Sequence, residues 1–205
     1  MFDVLIIGGS VAGVSCALVL GSAMKKPYAE GKKTAILTHQ KASALQDGVY
    51  NNAYGIPPGT LGRDLLSQSL EHLSSLYPQV QQIPNEKVMK VEGSAGNFMV
   101  TTNKQTYQAK TIVVAIGSAG SFAIEGLMEY VQPHKKAQPE KNRVQLKNDD
   151  HLVAEGIYVA GTLSGSRNQL AIAAGSGAAV ATDIMTLWNN GVQSQHHDSV
   201  PKKVI

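Results

Sequence analysis

The sequence predicts an α/β fold with a parallel central sheet, doubly wound and carrying a β-meander, and three observations support that prediction. Val4-Leu5-Ile6-Ile7 is an unbroken apolar run, as expected of a parallel strand buried on both faces. A glycine-rich turn from Gly8 to Gly13 follows at once and opens a helix over Val11 to Met24, rich in Ala, Val and Leu. Lys33 to Leu37 then restarts an apolar strand and completes a β-α-β unit.

The later elements follow in order. Gln40 to Thr60 is polar and reads as loop, with Asn51-Asn52 and Gly55-Ile56-Pro57-Pro58-Gly59 in it. Gly62 to Leu76 places Leu65, Leu66, Leu70, Leu73 and Leu76 at helical spacing. Between Glu86 and Lys110, Val88 to Val91, Asn97 to Thr101 and Thr106 to Gln108 alternate as short strands. Turn residues at Gly93 to Gly96 and Asn103-Lys104 separate them, which is a β-meander. Thr111 to Ala115 is another buried strand and Gly156 to Ala160 the last, before a long alanine-rich helix from Asn168 to Trp188. Gln132 to Lys147 is polar and reads as an exposed hairpin or an excursion on the surface. Residues 1–190 form one domain on this reading, and 191–205 a polar tail, frayed or draped on the surface.

Composition narrows the function classes. The 205 residues suffice for one substantial core, at 43% hydrophobic and 16% charged residues. A net charge of +3, with no basic run interleaved with aromatics, argues against nucleic acid. Cys16 is the single cysteine, so the chain holds neither a disulfide framework nor a redox-active pair. Val4 to Leu20 is largely apolar, but Asp3 precedes it and glycines, Ser10 and Ser15 interrupt it. Neither a signal peptide nor a membrane span is expected, and the reading is a cytoplasmic protein with no membrane partner.

The glycine turn carries the first chemistry. A strand ending in G-x-G-x-x-G aims the free N–H groups and positive end of a helix at a pyrophosphate. Gly8 and Gly13 hold the first and third glycine places, while Ser10 stands in the second, where its hydroxyl offers a phosphate a donor. Alone, the motif leaves open a glycine-rich turn with no ligand. The carboxylate expected after the second strand for a ribose hydroxyl is missing, because Leu37 is followed by Thr38-His39-Gln40. That weakens a simple NAD-dehydrogenase reading more than an FAD one.

Four separated segments, taken together, resemble one family. Thr111 to Gly117 resembles the strand and turn of two-dinucleotide flavoproteins, and Gly156 to Thr162 their final strand. Asn168 to Ala171, with Ala174 to Gly177, resembles the opening of their last helix. Asn52 to Pro57, followed by Gly62 and a leucine-rich helix, resembles thioredoxin reductase in particular. The chain therefore resembles a thioredoxin-reductase-like FAD-binding domain of Rossmann type, from Val4 to about Trp188. The resemblance implies that Gly8, Ser10, Val11, Ala12 and Gly13 hold the pyrophosphate, with Thr38 and His39 near the adenosine ribose. Val88 offers its backbone to adenine, Asn52 lies along the flavin, and Ala115 and Gly117 pass under the cofactor. Gly161 and Thr162 meet the ribityl–pyrophosphate region, and Gln169, Leu170 and Ala171 face the isoalloxazine. A helix N-terminus there suits the negative charge that reduction places on the flavin N1–C2 edge. Thr162 departs from the usual Asp, which removes a charge-assisted hydrogen bond.

Two parts of thioredoxin reductases are missing. The interval from Gly117 to Gly161 is too short for an NADPH domain and holds no second glycine motif, and Cys16 lies among Val14, Ala17 and Leu18 as a packing residue. The expected activity is thus oxidoreduction through FAD without unaided disulfide reduction, with NAD(P)H or a redox partner protein as the external source of electrons. No catalytic side chain is assigned. The alternatives are a non-catalytic flavin-binding or regulatory subunit and an NAD(P)-binding protein without flavin; a homodimer is compatible with the resemblance. His196-His197-Asp198 reads as tail in preference to a metal site, and no metal is expected. His134-Lys135-Lys136 with Lys141 and Arg143 reads as a solvated hairpin in preference to a site for an acidic partner or a nucleotide phosphate.

Overall fold

Strand β1 (Phe2–Ile7) has no polar face to offer water, and the computed structural model, which describes residues 1–39 and 43–198, builds outward from it. Val4 and Ile6 join a cluster with Val14, Cys16, Leu20 and Ile184, whereas Leu5 and Ile7 join another with Phe98, Val100 and Leu127. Alternate residues thus feed two cores, one on each side of the strand.

Helix α1 (Val11–Ala23) leads to β2 (Thr34–Thr38), which pairs parallel with β1 and sets Ile36 beside Ile6. In the stretch read as loop, residues 40–42 lie outside the described residues. The remainder holds a 3-10 turn at Ala44–Asp47 and a small ribbon of β3 (Val49–Tyr50) with β4 (Thr60–Leu61). Helix α2 (Gly62–Leu76) has the bounds its leucine spacing predicts.

The next strand, β5 (Gln81–Pro84), was not legible in the sequence. It is the edge of the sheet, buries only Ile83, and so shows water a mostly polar face. The meander is β6 (Val88–Ser94), β7 (Asn97–Thr102) and β8 (Thr106–Val114). Here Thr106–Gln108 and the stretch expected at Thr111–Ala115 turn out to share one strand, which ends at Val114. Its first half pairs antiparallel with β7, and from Ala109 it also runs parallel to β1. The alternating half faces water and the continuous half is buried on both sides, which is why they read as two elements.

The polar interval beyond is a hairpin of β9 (Val131–Pro133) and β10 (Val144–Leu146). Edge strand β11 (Leu152–Ala154), β12 (Ile157–Val159) and helix α3 (Leu170–Trp188) follow. The sheet order is β11-β12-β8-β1-β2-β5, with the meander branching from β8. The parallel strands wind outward from β1 in both directions, as expected, but the helices lie on one face only. Residues of α1, α2 and α3 share one cluster on one face, and the meander and hairpin cover the other. By length and composition α3 is apolar enough to cross a membrane; here Val180, Ala181, Ile184 and Met185 pack into the core. Of the tail, residues through Asp198 drape on the helix layer, with Ser194 buried and Tyr77 Oη donating to Asp198 Oδ2 at 2.7 Å.

Helices α1 and α3 approach closely because Gly177 lies on the Ala12 carbonyl, where a Cβ would overlap it. Gly177→Val should therefore destabilise the fold by about 1–3 kcal/mol. Gly175→Ala, two residues earlier with open space around it, should leave stability unchanged or raise it by about 0.4–1 kcal/mol. Thermal unfolding of the two variants checks the pair.

Candidate functional site

Because β1, β2, β8 and β12 run parallel, their C-terminal ends reach one edge of the sheet. Most of the sequence candidates follow those ends: Gly8 to Gly13 after β1, Thr38 and His39 at β2, Ala115 to Gly117 after β8, and Gly161 and Thr162 after β12. Chain reversal around β1 makes this edge a crevice, the place where open α/β sheets take ligands.

The turn after β1 is wedged between its neighbours. Gly8 N–H donates to the Leu37 carbonyl at 2.9 Å, and Ala115 N–H donates to the Ile7 carbonyl at 2.8 Å. Gly8 has φ +117°, and a Cβ there would collide with the Ala115 carbonyl. Gly13 sits on the Gly8 carbonyl with no room for a side chain. The first helical bond of α1 runs from Val14 N–H to the Ser10 carbonyl at 2.9 Å. The N–H groups of Val11, Ala12 and Gly13 consequently have no acceptor within the helix. Ser10 does not cap its own helix; its Oγ lies 3.0 Å from Ser43 Oγ, which also accepts from Leu45 N–H at 3.3 Å. With Ser43 as donor, the Ser10 proton is left for a ligand.

The turn after β12 closes against the first. Gly161, with φ +74°, donates its N–H to Ser176 Oγ at 2.8 Å, and a Cβ there would stand 3.0 Å from the Ala12 Cβ. The Thr162 carbonyl lies 2.9 Å from His134 Nε2 on the hairpin. Lys136 N–H points at His134 Nδ1 from 3.1 Å, so Nδ1 accepts and Nε2 carries the proton that goes to Thr162. His134 is buried, unlike the solvated side chain expected of its charged neighbourhood. Nothing in the sequence signals this bond, nor those of Ser43 and Ser176.

Two further pieces border the crevice. Gly117, with φ +80°, faces open space. At the start of α3, Gln169 is exposed and makes no side-chain cap, and the first helical bond is Ala173 N–H to the Gln169 carbonyl at 2.9 Å. The N–H groups of Leu170, Ala171 and Ile172 are therefore without helical acceptors, and Ala171 is exposed.

The other candidates are placed differently. Thr38 is buried with its carbonyl taken by Asn85 N–H at 2.7 Å, so at the end of β2 it is His39 that reaches solvent. Val88 buries its side chain with Leu37 and Ile83, at the start of β6 beyond the end of β5. Asn52 is exposed on the β3–β4 loop beside the fully exposed Tyr54, and the residue that pins that loop is Asn51, whose Oδ1 accepts from Gly59 N–H at 2.8 Å. A shallow concavity lined by Phe2, Met24, Lys32 and Gln81 lies at the opposite end of β1 and contains none of the candidates. Among the described residues there is no group of three or more metal-ligating side chains.

Comparison with known proteins agrees with this architecture. The model of the family described as pyridine nucleotide-disulphide oxidoreductase matches residues 2–178. A ferredoxin–NADP reductase of Streptococcus equi subsp. zooepidemicus is 29% identical over 130 residues, which cover 60% of this chain and 36% of that protein. The chain thus matches little more than a third of the length of that curated relative. A thioredoxin reductase structure from Gloeobacter violaceus superposes with TM-score 0.72 at 15% identity, covering 98% of this chain and 99% of that one. A ferredoxin-flavin thioredoxin reductase from Clostridium acetobutylicum gives TM-score 0.66 at 16% identity, over 92% and 98% of the two chains.

Cys16 stands apart from all of this. It is fully buried in the helix-side core, and burial pushes its thiol well above the ordinary range. The folded protein should be silent to a thiol reagent such as dithionitrobenzoate and should titrate one thiol once unfolded in guanidinium. Rapid labelling under native conditions would contradict the burial.

Proposed function

The chain belongs to the pyridine nucleotide-disulphide oxidoreductase family, and on that premise we propose that it is an FAD-dependent oxidoreductase domain related to thioredoxin reductase that does not reduce disulfides by itself. The observation behind this reading is the meeting of side-chain-free backbone and free helix N–H groups at one sheet edge. Gly8, Gly13 and Gly161 are each hemmed in by backbone or by Ala12, so that the turns can close on a ligand from both sides. A pyrophosphate fits that cradle, held by the N–H groups of Val11, Ala12 and Gly13 with Ser10 Oγ beside them.

Within the proposal, Ala115 and Gly117 line the floor, with the space over Gly117 left for the cofactor. Thr162, held through its carbonyl by His134, keeps its hydroxyl for the ribityl–pyrophosphate region. His39, with Thr38 behind it, serves the adenosine ribose, and the backbone at Val88 serves adenine. Gln169, Leu170 and Ala171 present the α3 N–H groups to the flavin edge, where they favour added negative charge. Asn52 completes the set from the β3–β4 loop. Bound FAD would supply hydride and electron transfer, and the chain's residues orient it and shape its charge. Electrons come from NAD(P)H or from a redox partner protein.

The purified protein tests this reading. It should carry flavin absorbance, and anaerobic NADH or NADPH should bleach it if pyridine nucleotide is the donor. Gly13→Val should abolish flavin content, because its side chain would overlap the Gly8 carbonyl and push α1 off β1, and normal flavin content would contradict the pyrophosphate assignment. Thr162→Asp should tighten FAD about tenfold, as a neutral hydrogen bond becomes a charge-assisted one. An unchanged dissociation constant would show that Thr162 does not face the cofactor.

A further inference from the structure

The β9–β10 hairpin carries charge that the cofactor reading leaves unused. Lys135, Lys136, Lys141, Arg143 and Lys147 are all exposed, and Glu140 is the one carboxylate among them. That local excess is larger than the +3 of the whole chain, so the remaining residues are together slightly acidic. Among the described residues none of these five cations forms an ion pair, although lysines and carboxylates elsewhere do, as Lys90 does with Glu92 at 2.8 Å and with Glu125 at 3.0 Å. A patch of unpaired like charge repels itself, and a complementary surface would relieve it.

Its position is set by hydrogen bonds to both loops that border the crevice. His134 Nε2 donates to the Thr162 carbonyl at 2.9 Å, and Val144 N–H donates to the Ser118 carbonyl, next to Gly117, at 3.1 Å. A Cβ on Gly165 would lie 2.9 Å from the Lys135 Cε, which places the stem of that lysine along the loop. Gln145, itself buried, fixes the hairpin base by accepting Lys135 N–H at 2.8 Å. The basic patch is therefore mounted rigidly at the mouth of the site. Two apolar side chains stand exposed at the same edge: Ile116 at 43% beside Gly117, and Ile172 at 41% in the first turn of α3.

We infer that the basic hairpin and the exposed Ile116 and Ile172 form the docking face for a small redox protein with an acidic surface. An apolar centre with a charged rim is the anatomy of a transient protein interface. Four of the five cations stand in the loop that joins β9 to β10 and Lys147 directly follows β10, so the charge lies along the exposed rim and suits an acidic protein surface. A phosphate site would want a glycine-rich cradle, and no second glycine motif lies between Gly117 and Gly161. The inference rests on the FAD reading for its purpose, since docking here brings the partner to the crevice edge, but the docking itself is measured without flavin.

The test uses the full chain, a plant-type [2Fe–2S] ferredoxin as acidic probe, and cytochrome c as basic control. Calorimetric titration of wild type is compared with Lys135→Glu/Lys136→Glu/Lys141→Glu/Arg143→Glu, and FAD affinity is measured in parallel on both. Ferredoxin should bind wild type with an affinity that falls steeply with salt. The variant should bind it roughly tenfold more weakly or worse, with a shallower salt slope and unchanged FAD affinity. Equal affinity of the two chains for ferredoxin, absence of binding to either, or equal binding of cytochrome c to wild type overturns the inference. So does a variant that keeps ferredoxin but loses NADPH in a parallel titration of both chains with NADPH, which would make the patch a nucleotide site. If neither chain binds FAD, the flavin reading fails while the ferredoxin isotherms still decide the docking face.

Discussion

Everything at the C-terminal edge of the sheet depends on how closely the Gly8 backbone lies against the Ala115 carbonyl. That approach needs a residue without a Cβ at φ +117°, and it lets β1 and β8 stay paired to their last residues. With the two strands held together, Gly13 settles on the Gly8 carbonyl and α1 leaves the sheet at a fixed angle. The same angle sets Ala12 against Gly161 and Gly177, so the final turn and the final helix are seated by contact with the first. One backbone contact thus propagates through three elements before any ligand is considered.

The second determinant is the segment between Gly117 and Gly161. It is folded as a short hairpin whose base belongs to the core, with Leu146 and Gln145 buried, and whose rim is charged. His134 joins the two roles, because its ring crosses from the hairpin to the Thr162 carbonyl. The hairpin is thereby part of the crevice wall and part of the outer surface at once. That arrangement links the proposed binding of a cofactor to the proposed binding of a partner through a single imidazole.

Much of this was legible in the residues. Continuous apolar runs such as Val4 to Ile7 mark strands with both faces buried, and the turn chemistry at Gly8 and Gly161 marks their C-terminal ends. The leucine spacing from Gly62 to Leu76 predicted α2 because one buried stripe is enough to seat it. What stayed hidden was structure that owes its place to neighbours. β5 and β11 are edge strands with mixed faces, and β8 changes partners midway, so its two halves carry different periodicities. At the site, Gly8, Ala115 and Gly161 follow from local pattern, whereas Ser43, His134 and Ser176 act through hydrogen bonds across 33, 28 and 15 residues of sequence. No local signal encodes such pairs, and His134 in particular is masked by its lysine neighbours.

The central claim is that the Gly8 to Gly13 turn, closed by Gly161, holds the pyrophosphate of FAD. Equilibrium titration of flavin-free protein with FAD and, separately, with riboflavin tests it most directly, because riboflavin keeps the ring and ribityl chain but lacks the phosphates and adenosine. Saturable binding of one FAD per chain, with riboflavin weaker by orders of magnitude, is the predicted result. No saturable binding of FAD, or riboflavin binding as tightly as FAD, would contradict the account.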